Sequence, residues 1–190
     1  MSIVSDFLMT RQSHVNLEAP APSRDVIQRL YQMAMRAPDH AQLKPCRFLV
    51  VEGEGRLRLG QVFREALLRQ KNDASEDQLE RAKKMPQRSP LLIVVIARVV
   101  EHPKVPEIEQ LMSAGCSAYA MVLGLEAEGY GAVWRTGEFC YDRWVMSELG
   151  LASDEHLIGF IYAGTLASEG KAKTLVMPEI KTRVAHWPAD

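Results

Sequence analysis

The sequence predicts a layered fold of the α/β or α+β class, in which helices pack on a central apolar sheet. Segments with helical spacing of apolar residues alternate along the chain with short apolar runs. Such alternation is typical of helices that cover a sheet. The run at residues 91–97 is apolar throughout, which indicates a strand buried on both faces.

The elements of the first hundred residues are predicted from apolar spacing and from stop signals. In order, they are a helix at 2–10, a helix from Ser23 to about Ala37, a strand at 47–52, helices at 56–70 and 71–84, and a strand at 91–100. Ser23 caps the second helix, and Pro38 ends it because the residue before a proline is pushed out of the helical region. Gly53 and Gly55 make the turn into the third helix. The charged stretch that follows, at 71–84, predicts a fourth helix that is exposed to solvent.

The second half of the chain is organised around a long core helix. Its predicted elements are a helix at 107–128, a strand at 130–135, a short helix at 142–149 and a strand at 157–163. Pro106 suits the first turn of the core helix, and Gly129 ends it. The residues after 163 contain no hydrophobic block, so we expect them to lie on the sheet or on a partner subunit. Without a linker or a repeat, residues 1–190 are expected to form one domain.

Composition argues against several classes of protein. The chain has 23 Lys and Arg against 24 Asp and Glu, so no basic excess indicates a nucleic-acid partner. Its longest apolar run is too short to cross a bilayer, and its first residues lack a basic leader, so we expect neither a membrane nor a secretory protein. Three distant cysteines without a CxxC pair argue against a zinc ribbon or a thioredoxin-type site, so no metal site is expected, and they favour reduced thiols in the cytoplasm.

Two familiar patterns fit the sequence poorly. Gly53-Glu54-Gly55 follows a strand, but the third glycine of a dinucleotide-binding fingerprint falls on Arg58. A plain turn is therefore the better interpretation. His40 and Cys46 could act as base and nucleophile, but such a pair needs a third, orienting group and a lowered thiol pKa. A small residue at a strand entrance, like Cys46, is more typical of simple packing.

Three short segments at the ends of elements carry the polar side chains of a candidate site. They are Arg11-Gln12-Ser13, Arg36-Ala37-Pro38-Asp39-His40 and Trp134-Arg135-Thr136-Gly137. Singly, each fits a structural role: a cap, a cation favoured by a helix dipole, and a core tryptophan beside a paired arginine. Together they favour a site for a phosphorylated, flat aromatic cofactor, because an arginine and a nearby hydroxyl can bind one phosphate and sites on layered folds lie at element ends.

These segments resemble the nitroreductase family, and three further stretches share the resemblance. The further stretches are Leu43-Lys44-Pro45, Phe48-Leu49-Val50-Val51-Glu52-Gly53 and Met112-Ser113-Ala114-Gly115-Cys116. The similarity runs in order from about residue 6 to Gly164-Thr165 and is closest to small, minimal members of the YdjA type. It implies an α+β fold in three layers, α/β/α, with a mixed central sheet and a dimer whose C-terminal extension packs on the partner.

The resemblance further implies an oxidoreductase that uses FMN and NADH or NADPH. In a homodimer with the flavin at the subunit interface, hydride would pass from NAD(P)H through FMN to a nitroaromatic, quinone or similar small acceptor by a ping-pong mechanism. No protein residue need be the proton donor, since water can serve, so no catalytic residue is assigned.

The same resemblance assigns cofactor-binding roles by position. The FMN phosphate and ribityl chain would be held by Arg11, Gln12 and Ser13, and the isoalloxazine edge would lie along Trp134, Arg135 and Thr136. From the partner subunit, Arg36 and His40 would reach the same flavin. In the C-terminal tail, Lys171 or Lys173 would add a cation to the phosphate.

Three positions depart from the family pattern. Gln12 and Asn16 stand where arginines are usual, which implies weaker FMN binding because the phosphate loses positive charge. Cys46 stands where an aromatic residue is usual and implies a more open pocket. The loss of charge at Gln12 leaves a second function open, that of a non-catalytic protein that binds a flavin or another nucleotide.

Overall fold

A computed structural model describes residues 2–167 and 179–187 of the chain. The helices are α1 (Ile3–Thr10), α2 (Arg24–Ala34), α3 (Glu54–Gln70), α4 (Glu76–Lys84), α5 (Glu107–Ala127) and α6 (Arg143–Glu148). The strands are β1 (Leu17–Glu18), β2 (Cys46–Glu52), β3 (Leu91–Arg98), β4 (Gly131–Arg135) and β5 (Glu155–Leu166). Each helix and strand predicted from the sequence is present, with its bounds moved by a few residues. The short β1 is an additional strand.

Single-turn 3-10 helices connect several of these elements. They lie at His40–Gln42, Met85–Arg88, Glu138–Cys140 and Ile180–Thr182. Two of them adjoin the candidate segments, because one follows Asp39 and another follows Gly137. The N-caps agree with the sequence: the Ser23 side chain accepts a hydrogen bond from the backbone N–H of Val26.

One five-stranded sheet runs through the molecule in the order β1-β5-β3-β2, with β4 also paired to β5. β3 is its centre: Leu92 lies opposite Tyr162 of β5 and Val51 of β2. The mixed sheet implied by the resemblance is wrong for the described residues, since every pair there is antiparallel. Continuous apolar strands occur wherever both sheet faces are covered, so the apolar run at 91–97 could not distinguish parallel from antiparallel pairing.

Helices cover both faces of this sheet, which confirms the three-layer α/β/α arrangement. Along β3 the side chains alternate in the two-residue period of a strand. Leu92, Val94 and Ile96 pack in the core under α3, α4 and α6. Leu91, Ile93 and Val95 pack in the core under α2 and α5. The two helical layers therefore meet different sets of side chains, and the same alternation decides which face each residue of β4 reaches.

Gly159 allows the close approach of β4 to β5. A β-bulge lies here, opposite Val95 and Ile96 of β3. A Cβ atom on Gly159 would lie 2.1 Å from Nε1 of Trp134, and its φ is +156°, so only glycine fits without displacing the tryptophan. The indole N–H of Trp134 donates to the backbone oxygen of Ile158 at 3.3 Å.

Two helices carry apolar side chains that the chain itself leaves exposed. α1 buries no residue, and the exposed apolar residues on it are Ile3, Val4, Leu8 and Met9. α5 exposes Ile108, Met112 and Tyr119 along one face. Within the described residues, no helix is both long enough and apolar enough to cross a membrane.

Candidate functional site

A cavity of about 490 Å³ lies where β4 ends. We call it the β4 cavity. Its lining residues are Phe63, Met85, Arg88, Arg135, Thr136, Gly137, Glu138, Phe139, Phe160 and Tyr162. The volume is within the range of small-molecule sites, and the combination of aromatic walls with a few polar groups is typical of them. Gly137 turns the chain at the mouth with a φ of +84°, a conformation that favours glycine.

Arg135 is the polar centre of the β4 cavity. Its Nε atom is buried and has no hydrogen-bond partner within the described residues. Its guanidinium carbon lies 5.7 Å from the ring centroid of Tyr162. A buried donor without an acceptor is uncommon in native proteins, so the side chain of Arg135 is suited to receive an acceptor from a ligand.

Tyr162 forms part of the aromatic wall and stays neutral. Burial raises the pKa of Tyr162 to about 12, and the positive charges of Arg135 and Arg88 only partly oppose that rise. Neither arginine forms an ion pair with a carboxylate of residues 2–167 or 179–187. The cavity therefore combines a flat apolar surface with two cations and one carboxylate, that of Glu138. The excess of positive charge suits an aromatic ligand that carries or develops negative charge.

Trp134 lies on the other face of β4 from Arg135. Its indole packs among the residues under α2 and α5, close to Gly115, and does not line the β4 cavity. Of the three residues expected along the isoalloxazine edge, the structure brings Arg135 and Thr136 to the cavity, whereas Trp134 is partly buried against the core on the opposite face.

The segment Arg11-Gln12-Ser13 lies at the end of α1, near the opposite end of β4. The backbone N–H of the next residue, His14, donates to the oxygen of Ala132 at 2.8 Å. The side chains of Arg11, Gln12 and Ser13 make no hydrogen bond to any described residue, so a ligand could use all three. Within one chain they do not join Arg135 in the same cavity. Lys171 and Lys173 lie outside the described residues.

A second, more polar depression of about 560 Å³ lies where α2 ends. We call it the α2 recess. Its lining residues are Ala34, Met35, Arg36, Ala37, Asp39, Gln42, Lys44, Pro45, Cys46, Ser113 and Ser117. Arg36 is exposed at its rim. His40 lies beside it, and the His40 Nδ1 atom is 2.7 Å from Oε2 of Glu109 on α5.

The backbone beside the α2 recess is strained. Ala41, Gln42 and Lys44 have φ values of +61°, +54° and +51°, each of which costs a non-glycine residue about 1 kcal/mol or more. The carboxylate of Asp39 holds the turn by accepting hydrogen bonds from the backbone N–H groups of Leu43 and Lys44 at 3.1 and 2.7 Å. Strained backbone of this kind persists where a fixed side-chain position is needed.

Cys46 is packed at the inner end of the α2 recess. Its thiol donates to the Ser117 hydroxyl at 3.4 Å, and Ser117 donates in turn to the oxygen of Ala34 at 3.0 Å. Burial raises the pKa of the Cys46 thiol, with the hydrogen bond to Ser117 acting against it. Because the thiolate is disfavoured and His40 contacts Glu109 instead, the arrangement does not support a Cys-His nucleophile.

Sequence reasoning missed several residues of the β4 cavity, Arg88 above all. Arg88 ends the 3-10 turn that leads into β3, and the sequence offered only its position just before an apolar strand. Phe63 and Tyr162 come from α3 and β5, so only the folded chain brings them to Arg135. Among the described residues, no group of His, Cys, Asp and Glu could hold a metal ion.

The fold and the β4 cavity define a class of small α+β proteins with a partly aromatic cavity at the end of a strand, and comparison with known proteins identifies the class. Residues 8–165 match the model of the nitroreductase family, so the chain belongs to that family. A relative from Escherichia coli (strain K12), provisionally named NAD(P)H nitroreductase YdjA, is 37% identical over 160 residues, covering 84% of this chain and 86% of the relative.

Solved structures show the same fold. The nitroreductase-like family protein from Bacillus cereus superposes with a TM-score of 0.79 at 22% identity, covering 100% of this chain and 98% of that one. A provisionally named nitroreductase from Desulfovibrio desulfuricans, in complex with FMN, superposes with a TM-score of 0.76 at 18% identity, covering 100% and 99%. Both comparisons establish the architecture of this chain.

Proposed function

We propose that this chain is a single-domain, FMN-dependent oxidoreductase of residues 1–190 that takes hydride from NADH or NADPH and reduces a small acceptor in a ping-pong cycle. The acceptors we expect are nitroaromatics, quinones and similar compounds. The observation that carries the proposal is the buried Nε of Arg135, which lacks a partner within the described residues and faces an aromatic cavity. Family membership, the name of the relative YdjA and the FMN-bound neighbour support it.

The residues of the β4 cavity fit the flavin ring. When bound, FMN supplies two-electron chemistry, accepting hydride from a reduced nicotinamide and returning two electrons to an acceptor. Arg135 and Arg88 would stabilise negative charge on a bound ring, while Phe63 and Phe160 exclude water beneath it. Thr136 and the turn at Gly137 supply further polar groups at the mouth. No side chain needs to donate a proton, since the opening admits water.

The phosphate would be held by Arg11, Gln12 and Ser13, whose side chains have no hydrogen bonds to the described residues. Gln12 contributes hydrogen bonds but no charge, so we expect moderate affinity for FMN. The three free cysteines suit a reducing compartment, in keeping with a cytoplasmic enzyme.

We further propose that the functional unit is a homodimer with FMN at the interface. The apolar side chains exposed on α1 and α5 favour it, because exposed apolar surface of this kind marks interaction sites. The C-terminal residues Ile180, Val184 and Trp187 are exposed as well and would pack on the partner. A dimer would also let Arg36 and His40, which are absent from the β4 cavity of their own chain, reach the partner's flavin. Sedimentation of a monomer at micromolar concentration would overturn this assembly.

A single experiment tests the enzymatic proposal. The purified protein is incubated with FMN, made anaerobic and mixed with NADH or NADPH. We expect the yellow absorbance of the flavin to bleach, and to return when a nitroaromatic or a quinone is added. Protein that takes up no FMN would refute the cofactor assignment.

The second candidate is a non-catalytic protein that binds a flavin or another nucleotide. Gln12 favours it, because it lowers the positive charge available to a phosphate. Bound flavin that neither NADH nor NADPH bleaches would support this candidate over the enzyme.

A further inference from the structure

One face of α5 holds the chain segment between α2 and β2. Glu109, Ser113 and Ser117 are spaced four residues apart, so they lie above one another on that face. Glu109 contacts His40, Ser113 lines the α2 recess, and Ser117 donates to the oxygen at the end of α2. α5 therefore presents a polar stripe to the segment that carries His40.

The contact between Glu109 and His40 determines which ring nitrogen carries the proton. A carboxylate can only accept a hydrogen bond, so Nδ1 of His40 must be the donor across the 2.7 Å that separates it from Oε2. The Nε2 atom is then the ring nitrogen left for another partner. His40 is about half-exposed, at 55% of its side chain, so its ring is open to a partner.

We propose that Glu109 is a positioning residue for His40, which it holds in the Nδ1-protonated form with Nε2 free to contact the flavin of the partner subunit. This inference rests on the proposed function, in which His40 reaches the flavin. Glu109 makes the one side-chain hydrogen bond that His40 has among the described residues. The neighbouring residues Ala41 and Gln42 have strained, left-handed backbone, which would relax if it were not held. The contact between Glu109 and His40 helps to hold this segment in place.

The chain supplies a matched control for this role. Glu107 lies in the same first turn of α5, and its Oε1 contacts Nε2 of a different histidine, His156, at 3.4 Å. Glu107→Ala removes the same charge from the same helix end as Glu109→Ala but leaves His40 untouched. Glu109→Gln is the conservative variant, since its side-chain oxygen can still accept from Nδ1.

The test measures two quantities on the purified protein: the imidazole nitrogen chemical shifts of His40 by NMR, and the FMN dissociation constant by flavin fluorescence. We expect Glu109→Ala to mix the two tautomers of His40 and to raise the FMN dissociation constant about threefold, the modest effect of losing a half-exposed hydrogen bond to a carboxylate. Glu109→Gln should restore the single tautomer, and Glu107→Ala should change neither quantity.

The outcomes separate this proposal from the one on which it rests. Wild-type protein that binds no FMN refutes the proposed function, while the tautomer signals still show whether Glu109 orients His40. Equal weakening by Glu107→Ala and Glu109→Ala would show a general charge effect and overturn the positioning role. The same conclusion follows if Glu109→Ala weakens FMN binding further in a His40→Ala background, where we expect no additional effect.

Discussion

The β4 cavity and the α2 recess have similar volumes, about 490 and 560 Å³, but different construction. The β4 cavity stands on the sheet, and Phe160 and Tyr162 in its wall belong to the core. The α2 recess is formed by irregular backbone with left-handed residues, held by the polar face of α5. The alternation of side chains along the strands determines which residues line the β4 cavity, whereas a few hydrogen bonds determine which side chains line the α2 recess.

This difference shows that the two regions suit two tasks. A rigid aromatic wall is suited to hold a ring at a constant place. A strained loop, anchored from one side, is suited to direct exposed side chains such as Arg36 and His40 outward. We therefore expect substitutions in the β4 cavity to affect stability and FMN binding strongly, and substitutions in the α2 recess to have smaller effects.

The largest expected effect is that of Phe160→Ala in the wall of the β4 cavity. Phe160 is 2% exposed and meets Phe63 edge to face at 5.4 Å. Removing a buried phenyl ring costs about 3 to 5 kcal/mol of unfolding free energy, which urea denaturation measures. The control is Phe48→Ala on the opposite sheet face, where the ring is only half-buried. Equal losses in the two variants would contradict the contrast.

Arg135→Ala should have the next largest effect, on binding rather than on folding. Loss of a charged hydrogen-bond donor to the ligand is expected to raise the FMN dissociation constant about ten- to hundredfold. The melting temperature without FMN should fall only slightly, because Nε has no hydrogen-bond partner among the described residues and the contact with the ring of Tyr162 is the interaction lost. Arg143→Ala, at an exposed arginine of α6, is the control. Unaltered FMN affinity in Arg135→Ala would show that the flavin does not bind in the β4 cavity.

Glu155→Gln should weaken the attachment of β2, beside the α2 recess. The buried carboxylate of Glu155 accepts two hydrogen bonds from Arg47. These two bonds are the main reason why the pKa of Glu155 is lowered. We expect a loss of about 2 kcal/mol at neutral pH, below the value for a fully buried pair because Arg47 is partly exposed.

The pH dependence of that loss provides a second measurement. A lowered pKa in the folded state stabilises the protein above the unfolded pKa of the group, and this stabilisation is lost as the pH falls through the folded value. The difference between wild type and Glu155→Gln in urea denaturation should therefore shrink towards acid pH. A constant difference would show that packing, and not the charge of Glu155, is responsible.

Ser117→Ala should have a smaller effect, confined to the α2 recess. Ser117 is 2% exposed and links the thiol of Cys46 to the oxygen of Ala34. Losing this link should lower the unfolding free energy by about 1 kcal/mol. Ser113→Ala is the control, because the Ser113 hydroxyl makes no hydrogen bond with the described residues. A larger loss from Ser113→Ala would overturn the role given to Ser117.

The smallest expected effect is that of Ala41→Gly. Because Ala41 has a φ of +61°, glycine should relieve strain there and raise the unfolding free energy by up to about 1 kcal/mol. Ala37→Gly, at a residue with negative φ, should lower it by a similar amount through chain entropy. Thermal denaturation of both variants checks the opposite signs. Two changes of the same sign would mean that the segment is not strained.

Much of this architecture could be predicted from the sequence. Ser23 and Gly129 act through local backbone preferences, so the start of α2 and the end of α5 could be derived from neighbouring residues. α2 itself ends at Ala34, three residues before the stop that Pro38 predicted. The direction of the strands could not, because an apolar strand covered on both faces has the same composition in parallel and antiparallel sheets.

The candidate site was predictable only in part. Arg135 and Thr136 were found as polar residues at a strand end, and they line the β4 cavity. Trp134 was expected beside them, but successive side chains of a strand point to opposite faces, and its partly buried indole packs against the core under α2 and α5. Arg88 was missed, since its contribution depends on how the turn after α4 packs against α3.

By itself, the sequence determined the order of the helices and strands, the three candidate segments and the resemblance to the nitroreductase family. These features depend on spacing and residue type over a few neighbouring positions. Only the tertiary structure decided that Arg88, Arg135 and Tyr162 share one cavity and that Glu109 holds His40. The three cavity residues are 27, 47 and 74 positions apart in the chain, and the histidine pair is 69 positions apart. Residues so far apart in the chain meet only when both helical layers pack on the sheet.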